Sequence, residues 1–148
     1  MKTKPKISNA KPARSSKPAS IVHHQTIVVA TVKRKPDEIQ CKDLAKFLSD
    51  LVKEIKMNAL FDPIAIHGKF GFTGIVGIVT SHIAFHYFDD GQTLHFDVYS
   101  CKKYNLRALM NFLNRYWQIE KADVLFIKRD EGPSEERFSY RDNKLTKE

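Results

Sequence analysis

The chain has 148 residues, enough for one domain with a real core and too few for two. Apolar residues make up 42% and aromatics 11%, which excludes a disordered polyelectrolyte. The net charge of +8 suggests a polyanionic partner, but Lys2, Lys4, Lys6, Lys11, Arg14 and Lys17 all fall in the first 20 residues, with no acid among them, and the remainder is nearly neutral. Nucleic acid is therefore not the expected partner.

Residues 1–20, rich in Lys, Pro, Ser and Ala, cannot bury enough surface to offset their ordering entropy, and a disordered basic tail is expected there. They lack the apolar core of a signal peptide, and Pro5, Pro12 and Pro18 oppose the amphipathic helix of a transit peptide. No apolar run approaches the ~20 residues of a membrane span. Cys41 and Cys101 sit in unlike contexts, so no disulfide is indicated and a reducing, cytoplasmic location is expected.

The β-branched run Thr26-Ile27-Val28-Val29-Ala30-Thr31-Val32 predicts a first strand. Pro36, followed by Asp37 and Glu38, suits the first turn of a helix. Leu44, Phe47, Leu48, Leu51, Val52 and Ile55 continue it as one apolar stripe, with Cys41 near its start and without a role. Residues 58–69 form a turn region with a short strand at Ile64-Ala65-Ile66, and residues 72–88 a long extended segment interrupted by Gly74 and Gly77. Asp89-Asp90-Gly91-Gln92 is a hairpin-type turn. Beyond it Leu94, Phe96 and Val98 alternate with His95, Asp97 and Tyr99, the pattern of a two-faced strand. Leu106, Leu109, Met110, Leu113 and Trp117 make the buried stripe of a second helix, capped near Asn105. Residues 122–128 give a last strand, and a flexible charged tail is expected over 131–148. The order implies an α+β two-layer sandwich, with a mainly antiparallel sheet and two helices packed on one face, as a single domain over 21–130.

The chemistry concentrates in residues 70–101, where a hydroxyl, two imidazoles and a thiol interrupt otherwise apolar strands. Such groups must be hydrogen-bonded, liganded or chemically used. His82, His86, His95 and Cys101 are competent zinc ligands, but their spacing matches no zinc pattern and no metal is expected. Satisfied core or interface histidines, a strand-end Ser81 and a small hydrophobic Cys101 are the plain structural alternative.

Ser81-His82-Ile83-Ala84-Phe85-His86, following an apolar strand, and Asp97-Val98-Tyr99-Ser100-Cys101, ending the next, resemble the processing and active-site motifs of the short, prokaryotic-type pyruvoyl-dependent S-adenosylmethionine decarboxylases. The separations from Ser81 to His86 and to Cys101 match that family, and Gly71-Phe72-Thr73-Gly74-Ile75 resembles its upstream element. The resemblance implies a self-made cofactor. Ser81 attacks the preceding carbonyl, the chain breaks between Thr80 and Ser81, and Ser81 becomes a pyruvoyl group that forms a Schiff base with the substrate amine.

It further implies that Thr73 and His86 assist processing and that Cys101 protonates the product carbanion. Phe70 and Phe88 would sandwich the adenine and sulfonium of S-adenosylmethionine, and Asp90 would hold the ribose hydroxyls. A homodimer of processed protomers, supplying the aminopropyl donor for spermidine synthesis, is the implied assembly and role. The family pattern has glutamate where this chain has Thr80, tryptophan at Phe88 and glutamate at Asp90. Those departures keep open a substrate-shifted relative acting on ornithine or arginine, and a non-enzymatic regulatory binding protein on the same fold.

Overall fold

The computed structural model describes residues 21–148. The expected basic tail over residues 1–20 lies outside them. Eight strands and two α-helices follow in the order β1 (His24–Val32), α1 (Cys41–Glu54), β2 (Ile64–Gly68), β3 (Gly71–Ile78), β4 (Ser81–Phe88), β5 (Thr93–Ser100), α2 (Leu106–Trp117), β6 (Ile119–Lys128), β7 (Ser134–Arg141) and β8 (Lys144–Lys147). The strands form one sheet in the order β2-β3-β4-β5-β1-β6-β7-β8. Every neighbouring pair is antiparallel. The α+β two-layer sandwich with both helices on one face is the fold expected from the sequence.

Period-two alternation sets which side chains meet the helices. Phe85 and Phe96 stack on each other across β4 and β5, and Phe47 of α1 meets both edge-on. Trp117 at the end of α2 stacks on Tyr87. Gly74 lies under this cluster because a Cβ there would come within 2.3 Å of the Phe85 ring and 3.1 Å of Leu48. Asn105 caps α2 by accepting the Ala108 amide at 2.9 Å, as its side chain suits.

Four local features differ from expectation. Pro36–Glu38 is a separate 3-10 turn, and α1 begins only at Cys41, because Ile39 and Gln40 are extended. That extension tucks Ile39 into the core at 5% exposure. Residues 72–88 are a hairpin rather than one long strand, with Ile78 paired to Ser81 and Val79-Thr80 forming the turn. The Asp89-Asp90-Gly91-Gln92 turn holds one 3-10 turn, in which Gly91 takes φ 71°. Residues 131–148, expected as a flexible tail, instead carry the β7–β8 hairpin. Its Asp142-Asn143 turn has positive φ at both residues, as a two-residue hairpin of the primed type requires. Tyr140 anchors it to the core at 1% exposure.

No helix packs against the opposite face among the described residues. That open face presents His82, Ala84, His86 and Phe88 of β4 beside His95, Asp97 and Tyr99 of β5. Apolar side chains flank them, with Val29, Ile64, Ile66 and Ile75 each more than 40% exposed.

Candidate active site

Two groups of side chains stand at opposite ends of β4. The first is built on the Val79-Thr80 turn. Residues after α1 pin this turn in place, with the Leu60 amide donating to Gly77 O at 2.8 Å and the Val79 amide to Asn58 O at 3.1 Å. Thr80 takes φ 61°, a left-handed conformation that a β-branched residue adopts only under strain. Ser81 follows as the first residue of β4, and its Oγ accepts the Cys101 amide at 2.9 Å. Cys101 is itself held by the Val22 amide, which donates to its carbonyl at 3.2 Å. The Thr80 hydroxyl lies 2.8 Å from Cys101 Sγ, and the thiol reaches Val79 O at 3.5 Å. The Thr80 hydroxyl is the main reason the thiol is pulled below its ordinary pKa. Burial opposes that effect, and Ser81, the Cys101 amide and Lys102 add to it.

The second group lies near the other end of β4. Thr73 and His86 are direct cross-strand partners on the open face, with Oγ1 and Nδ1 2.9 Å apart in a hydrogen bond. Phe88 meets the His95 ring edge-on. Phe70 is 68% exposed in the β2–β3 turn, and its carbonyl accepts the Asp89 amide at 3.0 Å, which ties that turn to the end of β4. Gly71 makes the close approach feasible, since a Cβ there would lie 1.8 Å from Tyr87 O. Phe70, Thr73, His86 and Phe88 line a cleft of about 190 Å³. Asp90 is exposed in the turn that follows β4, at the same end.

The structure therefore gathers Thr80, Ser81 and Cys101 in one place, and Phe70, Thr73, His86 and Phe88 in another. Ser81 and His86 are five residues apart on one strand, which is about 16 Å at ~3.3 Å per residue, and an odd offset points them to opposite faces. The four potential zinc ligands are not brought together. His86 faces His95, His82 is paired with Asp97, and Cys101 sits at the Thr80 turn. Among the described residues no group of three or more His, Cys, Asp or Glu could hold a metal ion.

A family model described as S-adenosylmethionine decarboxylase matches residues 27–130 of this chain. The chain belongs to the S-adenosylmethionine decarboxylase family. The crystal structure of the adenosylmethionine decarboxylase from Aquifex aeolicus VF5 has the same fold, with a TM-score of 0.62 over 76% of this chain and 93% of that one, at 17% identity. No curated protein sequence matches.

Family membership makes the chain an S-adenosylmethionine decarboxylase and identifies S-adenosylmethionine as its substrate. Sequence reasoning gave no role to one polar network of this decarboxylase. His82, Asp97, Gln25 and Arg129 form a hydrogen-bonded chain across the open face. The alternation of β5 pointed Asp97 to that face, but only the register of β1 against β5 shows that Gln25 reaches it. Among the described residues no helix is long and apolar enough to cross a membrane.

Proposed function

We propose that this decarboxylase is a self-cleaving proenzyme whose pyruvoyl group comes from Ser81 and whose product supplies spermidine synthesis. The observation that carries the reading is the Thr80-Ser81 geometry, with a strained φ at Thr80 and Ser81 Oγ oriented by the Cys101 amide. Attack of Ser81 Oγ on the Thr80 carbonyl carbon breaks the peptide C–N bond and leaves an ester with a free amine on residue 81. Removal of the Ser81 Cα proton then expels the Thr80 carboxylate, which carries Oγ away with residues 1–80. Water replaces the remaining nitrogen, released as ammonia, and leaves the ketone. A β-branched residue at positive φ costs about 1–3 kcal/mol, and opening this peptide relieves that strain.

The residues around Ser81 fit such a group. Cys101 offers an amide donor to Ser81 Oγ at 2.9 Å and a thiol 2.8 Å from the Thr80 hydroxyl. When present, the pyruvoyl ketone supplies an electron sink for decarboxylation. The Cys101 thiol, beside residue 81, then supplies the proton that the product carbon takes up. Phe70 and Phe88 supply aromatic surfaces for the adenine and sulfonium, and exposed Asp90 an acceptor for ribose hydroxyls.

One copy alone does not place the Thr73–His86 pair on Ser81. We therefore assign the active form as a homodimer joined through the open sheet face, in which the backbone of each Thr80-Ser81 turn, at the strand end, rather than the Ser81 side chain, meets the Thr73–His86 end of the second copy. The exposed Val29, Ile64, Ile66 and Ile75 give that face its apolar contact surface. The free Cys41 and Cys101 suit a reducing compartment such as the cytoplasm. Carbon dioxide release tests the substrate assignment. The purified protein should act on S-adenosylmethionine, not on ornithine or arginine, and Ser81→Ala should abolish release. Release from ornithine or arginine in preference would overturn the assignment.

A further inference from the structure

The polar network of the open face begins one residue after Ser81. His82 Nε2 lies 3.0 Å from Asp97 Oδ2, with both side chains partly exposed. The Gln25 amide donates to the other Asp97 oxygen at 2.9 Å, and Arg129 donates to Gln25 Oε1 at 3.4 Å. The Arg129 guanidinium also covers the Tyr99 ring at 4.6 Å, and the Tyr99 hydroxyl meets His23 Nδ1 at 2.6 Å. Side chains thus link β4, β5, β1 and the end of β6 at the level where β4 begins. Among the described residues, His82–Asp97 is the one hydrogen bond between a β4 and a β5 side chain.

We propose that His82 and Asp97 are positioning residues that hold the chain terminus created at Ser81 in register. The inference rests on the self-cleavage reading above. Before cleavage Ser81 is fixed twice, by the covalent Val79-Thr80 turn and by its hydroxyl accepting the Cys101 amide. Cleavage removes both ties at once. The turn is severed, and Oγ departs as an oxygen of the Thr80 carboxylate. Residue 81 becomes the free end of a strand, where fraying is greatest. The first side-chain anchor that survives is His82, held by an aspartate that Gln25 and Arg129 keep oriented. A charge-assisted hydrogen bond is the stronger kind for this purpose. The ladder pairs His82 with Gly77 on one side and Tyr99 on the other, so loss of the anchor frees the terminus first.

Hydrogen–deuterium exchange of the 82–84 amides, read by mass spectrometry, tests this in two backgrounds. In the uncleaved Ser81→Ala protein, adding His82→Ala should change exchange less than about twofold. In the cleaved protein His82→Ala should speed exchange about tenfold, the factor for losing one charge-assisted hydrogen bond. It should also lower kcat with little change in KM. His82→Gln, which keeps a donor for Asp97, should restore most of the protection. Asp97→Asn provides the same comparison through the partner residue if His82→Ala does not mature. A wild-type chain that stays intact overturns the cleavage reading and this inference together. A wild type that cleaves, with His82→Ala or Asp97→Asn exchanging equally in both backgrounds, overturns this inference alone.

Discussion

Strain at Thr80 can be separated from the chemistry of its hydroxyl by comparing two variants. Thr80→Ala removes the hydroxyl that meets Cys101 Sγ but keeps a Cβ on a backbone at φ 61°. Thr80→Gly removes both the hydroxyl and the Cβ, so the alanine-to-glycine difference reports the backbone. Holding an L-residue in the left-handed region costs roughly 1–2 kcal/mol, which glycine does not carry. If the strain is released in the transition state of ester formation, Thr80→Ala should cleave about 5–30 times faster than Thr80→Gly, at 1.36 kcal/mol per tenfold in rate. The assay is a time course of intact mass on freshly purified protein, following loss of the full chain and growth of a fragment that begins at residue 81. Equal rates, or faster cleavage of the glycine variant, would refute the idea that this turn stores energy for the reaction. Thr80→Ala against wild type then isolates the hydroxyl.

Four further outcomes concern the two groups of side chains and the β7–β8 hairpin. Co-expressed Ser81→Ala and His86→Ala chains should regain cleavage of the His86→Ala chain in mixed dimers, because one intact site is assembled from two copies; no rescue would place both groups in one chain. In the uncleaved chain the Cys101 thiol should alkylate at a lower pH than an ordinary thiol, and Thr80→Ala should move the midpoint upward, since the hydroxyl is the largest cause of the lowered pKa. The sign follows from linkage. The depressed folded pKa favours folding above the unfolded thiol value, and that contribution is lost as pH falls through the folded one. Deleting residues 131–148 should lower the melting temperature sharply rather than leave it unchanged, because it strips β6 of a partner strand and removes buried Tyr140. Tyr140→Ala alone should cost about 3–5 kcal/mol in denaturant unfolding, as for other large aromatic truncations.

Periodicity makes most of the fold legible in the sequence. The α1 and α2 stripes, the two-faced β5 and the β-branched β1 each carry a pattern strong enough to be decisive alone. The turn between β3 and β4 was hidden because Val79-Thr80 contains none of the glycine, asparagine or aspartate that normally marks such a turn. The same absence is what makes Thr80 strained. The β7–β8 hairpin was hidden for a different reason. Its strands are charged at most exposed positions, so Phe138, Tyr140 and Leu145 read as isolated apolar residues rather than as one face. The start of α1 depended on a tertiary contact, the burial of Ile39, which local helix signals at Pro36 could not anticipate.

The site was legible as a set of residues and not as an arrangement. Ser81 and Cys101 meet because β4 and β5 are antiparallel neighbours in a register fixed by the turn between them. Thr73 and His86 meet through the β3–β4 register in the same way. The odd offset between Ser81 and His86 already implied opposite faces, given that the segment is a strand. That implication separates one expected constellation into two groups of side chains. Arg129 and Gln25 lie 104 residues apart and come together only through sheet topology.

Whether this chain breaks its own Thr80–Ser81 bond is decided by the intact mass of wild-type protein beside Ser81→Ala. The wild type should resolve into residues 1–80 and a fragment from residue 81 whose amine-free terminus is a ketone that reacts with hydrazine reagents, while Ser81→Ala remains one chain. A wild-type protein that stays a single unmodified chain after prolonged incubation would contradict self-cleavage.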